Sequence, residues 1–221
     1  MPRTTWIFDL DNTLHNASRH AFPVINRAMN VYLAAQLGLS LEEASALRMG
    51  YWRRYGATLS GLIRHHPQID LHHFLRASHP LDEILREVHP MPGLRRTLLL
   101  LHGDKVLFTN GTLEYAETML EALGIADCFC AVFGVESVRL KPKPLMAAYR
   151  MLLHRLRLNP RRCIMVEDSS HNLIPAKRLG MQTVWLRRST RRALAADVLI
   201  RNLSDLPAQI GRASCRERVL R

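Results

Sequence analysis

Short apolar segments alternate with helical segments from Pro92 onward, and this alternation constrains the fold more than any other feature of the sequence. A predicted helix at 92–102 is followed by strands at 105–109, 130–135, 163–167, 182–186 and 197–200, with helices at 114–123, 145–156 and 172–179 between them. Strands separated by helices of this length pair in parallel, with right-handed crossovers. The pattern therefore predicts an α/β fold with a doubly wound parallel sheet.

The first strand of this sheet is separated from the rest by a long helical segment. Residues 5–8 form a short apolar run that ends at Asp9, which is typical of a buried strand. Helical periodicity then predicts helices at 21–37, 41–54, 58–65, 70–77 and 81–88. Ser40 and Glu43 have the spacing of a capping box at the start of the second helix. We therefore expect an all-helical insertion after the first strand.

Composition excludes several classes of protein. The 221 residues are 48% hydrophobic and 23% charged, which is ordinary for a globular chain and excludes disordered and fibrous classes. The longest wholly aliphatic run, 98–101, is too short to cross a membrane, and the first residues contain no apolar stretch typical of a signal peptide. Four cysteines at unpatterned spacing predict neither a disulfide framework nor a zinc site. We expect a cytoplasmic protein without a membrane partner.

The basic charge raises the alternative of a nucleic-acid-binding protein. The formal net charge is +12, and residues 139–162 contain eight basic and no acidic side chains. The basic residues are spread over predicted helices and loops, without a basic arm and without interleaved aromatic residues that could stack on bases. This distribution favours a surface that steers small anions, and it makes nucleic acid the minor alternative.

Residues 210–221 show no periodicity and follow the end of the domain pattern near Pro207. The segment resembles the conceptual translation of a sequencing-library adapter. We expect it to be a non-native or disordered tail, and we exclude it from reasoning about the fold.

Polar residues follow four consecutive predicted strands. Ligands of an open parallel sheet bind beyond the carboxyl ends of its strands, so these residues are expected to converge. They are Asp9 and Asp11, then Thr109 and Asn110, then Lys141, and finally Glu167 and Asp168. Each set alone could shape a turn, cap a helix or be solvated, although Pro142 and Pro144 stiffen the loop that carries Lys141. Together they predict phosphoryl transfer through a covalent intermediate.

These residues identify a family resemblance. The segments 9–13, 109–110, 141–144 and 167–168 resemble the four motifs of the haloacid dehalogenase superfamily, and the resemblance covers about residues 4–190. It implies a Rossmann-like core formed by residues 1–14 and 90–209. It also implies that residues 15–89 form an all-helical cap.

Within that superfamily the chain resembles the pyrimidine 5′-nucleotidase group. Ala57 departs from the pattern, because the group often has a hydroxyl residue there. The residues that carry this resemblance are 55–62, 69–70, 74–75, His79, 81–82, 109–111 and 168–173.

The resemblance implies a role for each motif residue. Asp9 would be the nucleophile and Asp11 the general acid and base, which favours phosphatase or phosphomutase chemistry over dehalogenase or ATPase chemistry. Mg²⁺ would be held by Asp9, the Asp11 carbonyl and Asp168, with Glu167 close by or acting through water. The remaining roles would be phosphate binding by Thr109, Asn110 and Lys141, loop orientation by Asn172, and substrate contacts by Tyr55 and Thr58.

The expected substrate is a small phosphorylated metabolite, in particular a pyrimidine nucleoside 5′-monophosphate such as UMP or CMP. Three alternatives remain open at this point. The chain could act on another small monoester, such as phosphoglycolate or a sugar phosphate, or it could be a phosphomutase. A basic nucleic-acid-binding protein on the same fold is the remote alternative.

Overall fold

The computed structural model of the protein describes residues 3–187 and 196–208. In this part of the chain, six parallel strands form one sheet in the order β3-β2-β1-β4-β5-β6. The strands are β1 (Thr5–Phe8), β2 (Asp104–Phe108), β3 (Ala131–Phe133), β4 (Cys163–Glu167), β5 (Gln182–Leu186) and β6 (Val198–Ile200). The predicted doubly wound α/β fold is confirmed.

The central strands are buried on both faces, as expected for a parallel sheet covered by helices. Every residue of β1 and β4 is buried. Successive side chains point to opposite faces, so Ile7 belongs to one hydrophobic core and Phe8 to the other. The apolar runs in the sequence therefore become strands because both of their faces are covered.

Five helices lie between β1 and the next sheet helix: α1 (Ala21–Leu37), α2 (Leu41–Tyr55), α3 (Thr58–His65), α4 (Leu71–Ser78) and α5 (Leu81–Ile84). Parts of α1 to α4 form a third hydrophobic core that includes Leu33, Leu62 and Phe74, whereas Ile84 of α5 belongs to the same core as Phe8. The capping box predicted at Ser40 and Glu43 is present at the start of α2. The sheet helices are α6 (Leu94–Leu100), α7 (Leu113–Ala122), α8 (Met146–Arg155) and α9 (Ser170–Arg178). Among the described helices, none combines the length and the apolar character that a membrane crossing requires.

Three predicted helices are shorter in the structure, and one of them, predicted over 145–156, loses only a residue at each end. The helix predicted over 81–88 ends at Ile84, because the chain after it pairs with the segment that follows β1, where His89 O accepts a hydrogen bond from Asn16 N. The helix predicted over 92–102 begins only at Leu94, because Gly93 has a left-handed φ of 68°.

The two connections between sheet and helical segment run side by side. His15 and Pro90 form an isolated antiparallel bridge, and Met91 N donates to Leu14 O. The predicted division into a core (1–14 and 90–209) and a cap (15–89) stays a prediction, and this paired linker lies at its two boundaries. The predicted tail at 210–221 lies outside the described residues.

Candidate active site

The carboxyl ends of three neighbouring strands bring the candidate residues together. Strand β1 lies between β2 and β4, with Phe8 in register with Leu107 and Val166. Asp9 continues this register, because its N–H donates to Val166 O at 3.0 Å. The residues that follow each strand therefore share one edge of the sheet, as expected at the switch point of such a topology.

The lysine of the site is Lys143, so the prediction of Lys141 is wrong. The Lys143 side chain is only 1% exposed, and its Nζ lies 2.6 Å from Asp9 Oδ1 and 2.8 Å from Glu167 Oε2. Lys141 is exposed, and it makes no ion pair with any described residue. Lys143 is the lysine that lies between two prolines, a signal that could have identified it.

The backbone of Lys143 is fixed by Asn110. The amide side chain of Asn110 accepts a hydrogen bond from Lys143 N at 2.7 Å and donates one to Lys143 O at 3.0 Å. These two bonds hold the loop after β3 against the end of β2. Asn110 therefore positions the buried ammonium group.

Thr109 is buried at the end of β2 beside this loop. Its hydroxyl oxygen accepts a hydrogen bond from Gly111 N at 3.0 Å, so the hydroxyl hydrogen remains free to be donated. No described residue accepts a hydrogen bond from the N–H of Asn110. Both groups are donors of the kind that could bind phosphate oxygens, and their assignment to phosphate stays a prediction.

Three carboxylates form a compact acidic cluster beside Lys143. Ligand oxygens of Asp9, Glu167 and Asp168 all lie within 4.8 Å of one another. Burial and the charge of Glu167 raise the pKa of Asp9 to about 7, although Lys143 opposes this rise. Burial, Glu167 and Asp9 raise the pKa of Asp168 to about 9. The single positive charge of Lys143 therefore does not balance the negative charge of three ionised carboxylates.

The charge of Lys143 is stabilised in turn by the cluster. Burial alone would lower the pKa of its ammonium group, but the ion pairs with Asp9 and Glu167 outweigh burial and raise that pKa. Lys143 also donates to Phe108 O at 2.8 Å, so all three of its donors have partners. The lysine is a permanently charged, fixed part of the site.

The acidic cluster has the donor chemistry of a magnesium site. Carboxylate oxygens are the ligands that this hard cation prefers. Burial and the neighbouring carboxylates raise the pKa of Asp9 and Asp168, and the positive charge of a divalent cation would offset the repulsion between these carboxylates. Both oxygens of Glu167 already accept hydrogen bonds, from Lys143 Nζ and from Ser169 N. Both oxygens of Asp9 also accept hydrogen bonds, from Lys143 Nζ and from Thr13, so these bonds do not rank the carboxylates. Asp9, Asp168 and Glu167 together would hold the ion.

Asp11 is held by two residues that the sequence analysis did not identify. Tyr115 donates to Asp11 Oδ1 at 2.6 Å, and His15 Nε2 lies 3.0 Å from the same oxygen. Burial would raise the pKa of Asp11, but the hydrogen bonds of His15 and Tyr115 outweigh burial and lower it. No spacing in the sequence links residue 115 to residue 11, because their contact depends on how α7 packs on the sheet.

Thr13 is a further residue that the sequence analysis passed over. Its hydroxyl donates to Asp9 Oδ2 at 3.0 Å, while Lys143 binds Asp9 Oδ1. The two donors fix the orientation of the Asp9 carboxyl group. Thr13 lies inside the 9–13 motif, and its position four residues after Asp9 in a tight turn is the signal that was available.

Three other predicted residues have contacts that leave their roles as predictions. Asn172 contacts its surroundings through its backbone, since its N–H donates to Ser169 O and its carbonyl accepts from Tyr149. Thr58 is buried at the start of α3, and its hydroxyl donates to Arg48 O. The Tyr55 hydroxyl lies 2.7 Å from Nε2 of His65 in α3.

The turn between Tyr55 and Thr58 nevertheless touches the site. Gly56 has a φ of 82°, and a Cβ placed on it would lie 2.5 Å from Pro144 Cδ, next to Lys143. The helical segment therefore approaches the Lys143 loop through the backbone of Gly56, at a position where a side chain does not fit.

Comparison with known proteins identifies the family. The model of the haloacid dehalogenase-like hydrolases matches residues 4–180. The chain belongs to this family. The family resemblance drawn from the four sequence motifs is thus confirmed, and the chain is a hydrolase.

Two curated relatives and one solved structure are similar to this hydrolase. Phosphate metabolism protein 8 of Saccharomyces cerevisiae is 32% identical over 58% of the chain, and the match spans only 42% of the yeast protein. Phosphoglycolate phosphatase of Yersinia pseudotuberculosis is 25% identical, over 95% of the chain and 94% of that enzyme. A haloacid dehalogenase-family phosphatase of Thermococcus onnurineus has the same fold, with a TM-score of 0.68, 23% identity and coverage of 94% and 98%.

Proposed function

We propose that this hydrolase is a Mg²⁺-dependent phosphatase of small phosphate monoesters that acts through an aspartyl-phosphate on Asp9. The observation that carries the proposal is the joint placement of Asp9, Lys143 and the acidic pair Glu167–Asp168 at one sheet edge, with Asp11 two residues further on. A nucleophilic carboxylate, a fixed cation and a second carboxyl group are what stepwise phosphoryl transfer needs.

In the first step Asp9 attacks phosphorus, and the bond from phosphorus to the leaving oxygen breaks. Lys143 and Thr13 hold the Asp9 carboxyl group in one orientation, which favours attack from a fixed direction. Asp11 gives a proton to the leaving oxygen, a transfer that typically contributes ~10²–10⁴-fold. The developing negative charge on phosphorus oxygens is stabilised by the ammonium of Lys143 and by donors at Thr109 and Asn110.

In the second step water attacks the aspartyl-phosphate, and Asp11 accepts the proton of that water. Asp9 leaves as a carboxylate and phosphate is released. A divalent cation held by Asp9 and Asp168, with the Asp11 carbonyl as a further ligand, would neutralise charge and allow two anions to approach each other.

We propose a pyrimidine nucleoside 5′-monophosphate such as UMP or CMP as the preferred substrate. This proposal is supported by the resemblance of segments 55–62 and 168–173 to the pyrimidine 5′-nucleotidase group. The approach of the Gly56 turn to Pro144 also supports it, since Tyr55 and Thr58 flank this turn in the sequence.

Phosphoglycolate is the second candidate. It is favoured by the relative from Yersinia, because that enzyme matches the chain over nearly its whole length. The two candidates differ in size, since a nucleotide needs a pocket for the base beside the Gly56 turn and phosphoglycolate does not.

A panel of phosphate esters tests both proposals. Phosphate release is measured with Mg²⁺ and after chelation, using UMP, CMP, AMP, GMP, phosphoglycolate and glucose 6-phosphate. A kcat/KM that is highest for UMP or CMP supports the nucleotidase proposal, whereas a preference for phosphoglycolate replaces it. Absence of Mg²⁺-dependent release from every ester, together with salt-sensitive binding to duplex DNA, would overturn the phosphatase proposal.

A further inference from the structure

The carboxyl group of Asp11 is bound asymmetrically. Tyr115 Oη lies 2.6 Å from Oδ1 and His15 Nε2 lies 3.0 Å from the same atom. No described residue forms a hydrogen bond with Oδ2. One oxygen is therefore anchored, while the other is left for a different partner.

The two donors can act at the same time. Tyr115 Oη and His15 Nε2 are 3.2 Å apart, so the imidazole N–H can donate to Asp11 while the phenol also donates to Asp11. A carboxyl oxygen that bears no proton only accepts hydrogen bonds, so His15 must carry its hydrogen on Nε2 to donate to Oδ1. Two donors on Oδ1 restrict rotation of the Asp11 carboxyl group about χ2, because that rotation would move Oδ1 away from both of them.

Both donors are themselves fixed. Tyr115 is fully buried on α7, and a Cβ placed on Gly111 would lie 2.6 Å from its Cδ1, so the ring fills the space beside Gly111. The ring also packs against His79, with centroids 5.2 Å apart. His15 is 2% exposed, and its backbone is bridged to Pro90.

We propose that Tyr115 and His15 are positioning residues that anchor Oδ1 of Asp11 and so make Oδ2 the oxygen that transfers the proton. This inference rests on the proposed phosphatase function. The proton on Oδ2 passes to the leaving oxygen as the Asp9–phosphorus bond forms and the ester bond breaks. The ionised Oδ2 then takes a proton from the water whose oxygen displaces Asp9 from phosphorus.

The proposal predicts a dependence on the leaving group. An alkoxide leaving group needs the proton of Asp11, whereas para-nitrophenolate leaves without it. Misdirecting Asp11 should therefore slow formation of the aspartyl-phosphate from an alkyl phosphate far more than from para-nitrophenyl phosphate. Since kcat/KM reports on this first step, the ratio of kcat/KM for the two esters measures how well Asp11 is aimed.

The main variant is Tyr115→Phe, which removes the hydroxyl and keeps the ring. The matched control is Tyr32→Phe, because Tyr32 is also buried and its hydroxyl bonds to a backbone carbonyl, that of Asp70, in the helical segment. With Mg²⁺ present, we expect Tyr115→Phe to lower kcat/KM about 10²-fold for the alkyl phosphate and less than about 10-fold for para-nitrophenyl phosphate. Tyr32→Phe should leave the ratio unchanged.

A second pair of variants tests His15 and covers a failure of Tyr115→Phe to fold. His15→Gln keeps an N–H donor near the position of Nε2, and His15→Leu removes it. We expect His15→Leu to show the same selective loss on the alkyl phosphate and His15→Gln to recover most of it. In addition, Tyr115→Phe should have no further effect on the alkyl phosphate when Asp11→Asn is already present, because Tyr115 acts through Asp11.

The outcomes separate the two proposals. If the wild-type protein hydrolyses neither ester, the proposed function fails. If it hydrolyses both, and the variants lose activity equally on the two esters or behave like Tyr32→Phe, the positioning role of Tyr115 and His15 is overturned.

Discussion

Replacing Lys143 by methionine is the sharpest test of the site, because Lys141 offers a matched control two residues away. Methionine has a similar length and no charge, so the variant leaves Asp9 and Glu167 buried without their ammonium partner. The side chains of Lys143 and Glu167 are each 1% exposed, and that of Asp9 is 8% exposed. Removing one partner of such a buried pair typically costs about 3–5 kcal/mol.

We expect Lys143→Met to lose at most that amount of unfolding free energy, with the largest loss at about pH 8, because Asp9 takes up a proton more readily without Lys143. The variant should also lose phosphatase activity. The destabilisation should shrink as the pH falls, because protonation of the stranded carboxylates removes their unpaired charge. Lys141→Met changes an exposed side chain and should alter the unfolding free energy by less than about 0.5 kcal/mol.

Urea unfolding of both variants without metal, at about pH 8 and about pH 5.5, measures these differences directly. Steady-state kinetics with Mg²⁺ gives the activities. The assignment of the lysine would be refuted if Lys141→Met lost as much activity as Lys143→Met, or if Lys143→Met were as stable as the wild-type protein.

Three further predictions concern the metal, the nucleophile and the turn at Gly56. The pKa is about 7 for Asp9 and about 9 for Asp168, so ionisation of these groups should make the metal-free protein less stable as the pH rises. Mg²⁺ should therefore raise the Tm more at about pH 8 than at about pH 6. Equal shifts of the Tm at the two pH values would contradict this prediction. Asp9→Asn should abolish phosphate release, with Mg²⁺ binding measured by calorimetry weakened but detectable; residual turnover above a few per cent would exclude Asp9 as nucleophile. Gly56→Ala should lower both stability and kcat/KM, because its Cβ meets Pro144. Gly38 also has a left-handed φ but stands in open space, so Gly38→Ala should cost only about 1 kcal/mol of stability with unchanged kinetics.

The ends of the helices in the helical segment were predicted with unequal success. The bounds of α1 and α3 were predicted as observed. The end of α5 depends instead on the pairing of His89 with Asn16, which is a long-range contact that local periodicity does not contain.

The choice between two lysines shows the same limit within the site. The segment 140–144 predicts that a lysine reaches the strand ends, but Lys141 and Lys143 are equivalent in charge and length. Only the packing of the loop decides, because Asn110 binds the backbone of Lys143 and so directs its side chain inward. The flanking prolines pointed to the stiff part of the loop, and the deciding contact comes from another strand.

Local sequence was sufficient to predict the sheet, the acidic residues at its edge and the family. The reason is that an apolar strand and the polar residues that follow it are both features of short segments. The surroundings of Asp11 were decided mainly by tertiary structure, since only His15, four residues away, is a local contact. His15 comes from the linker, Tyr115 from α7 and His79 from the end of α4, and they meet only when the helices pack on the sheet. Such contacts position a proton-transferring group to within a fraction of an ångström. That precision arises from packing between distant segments.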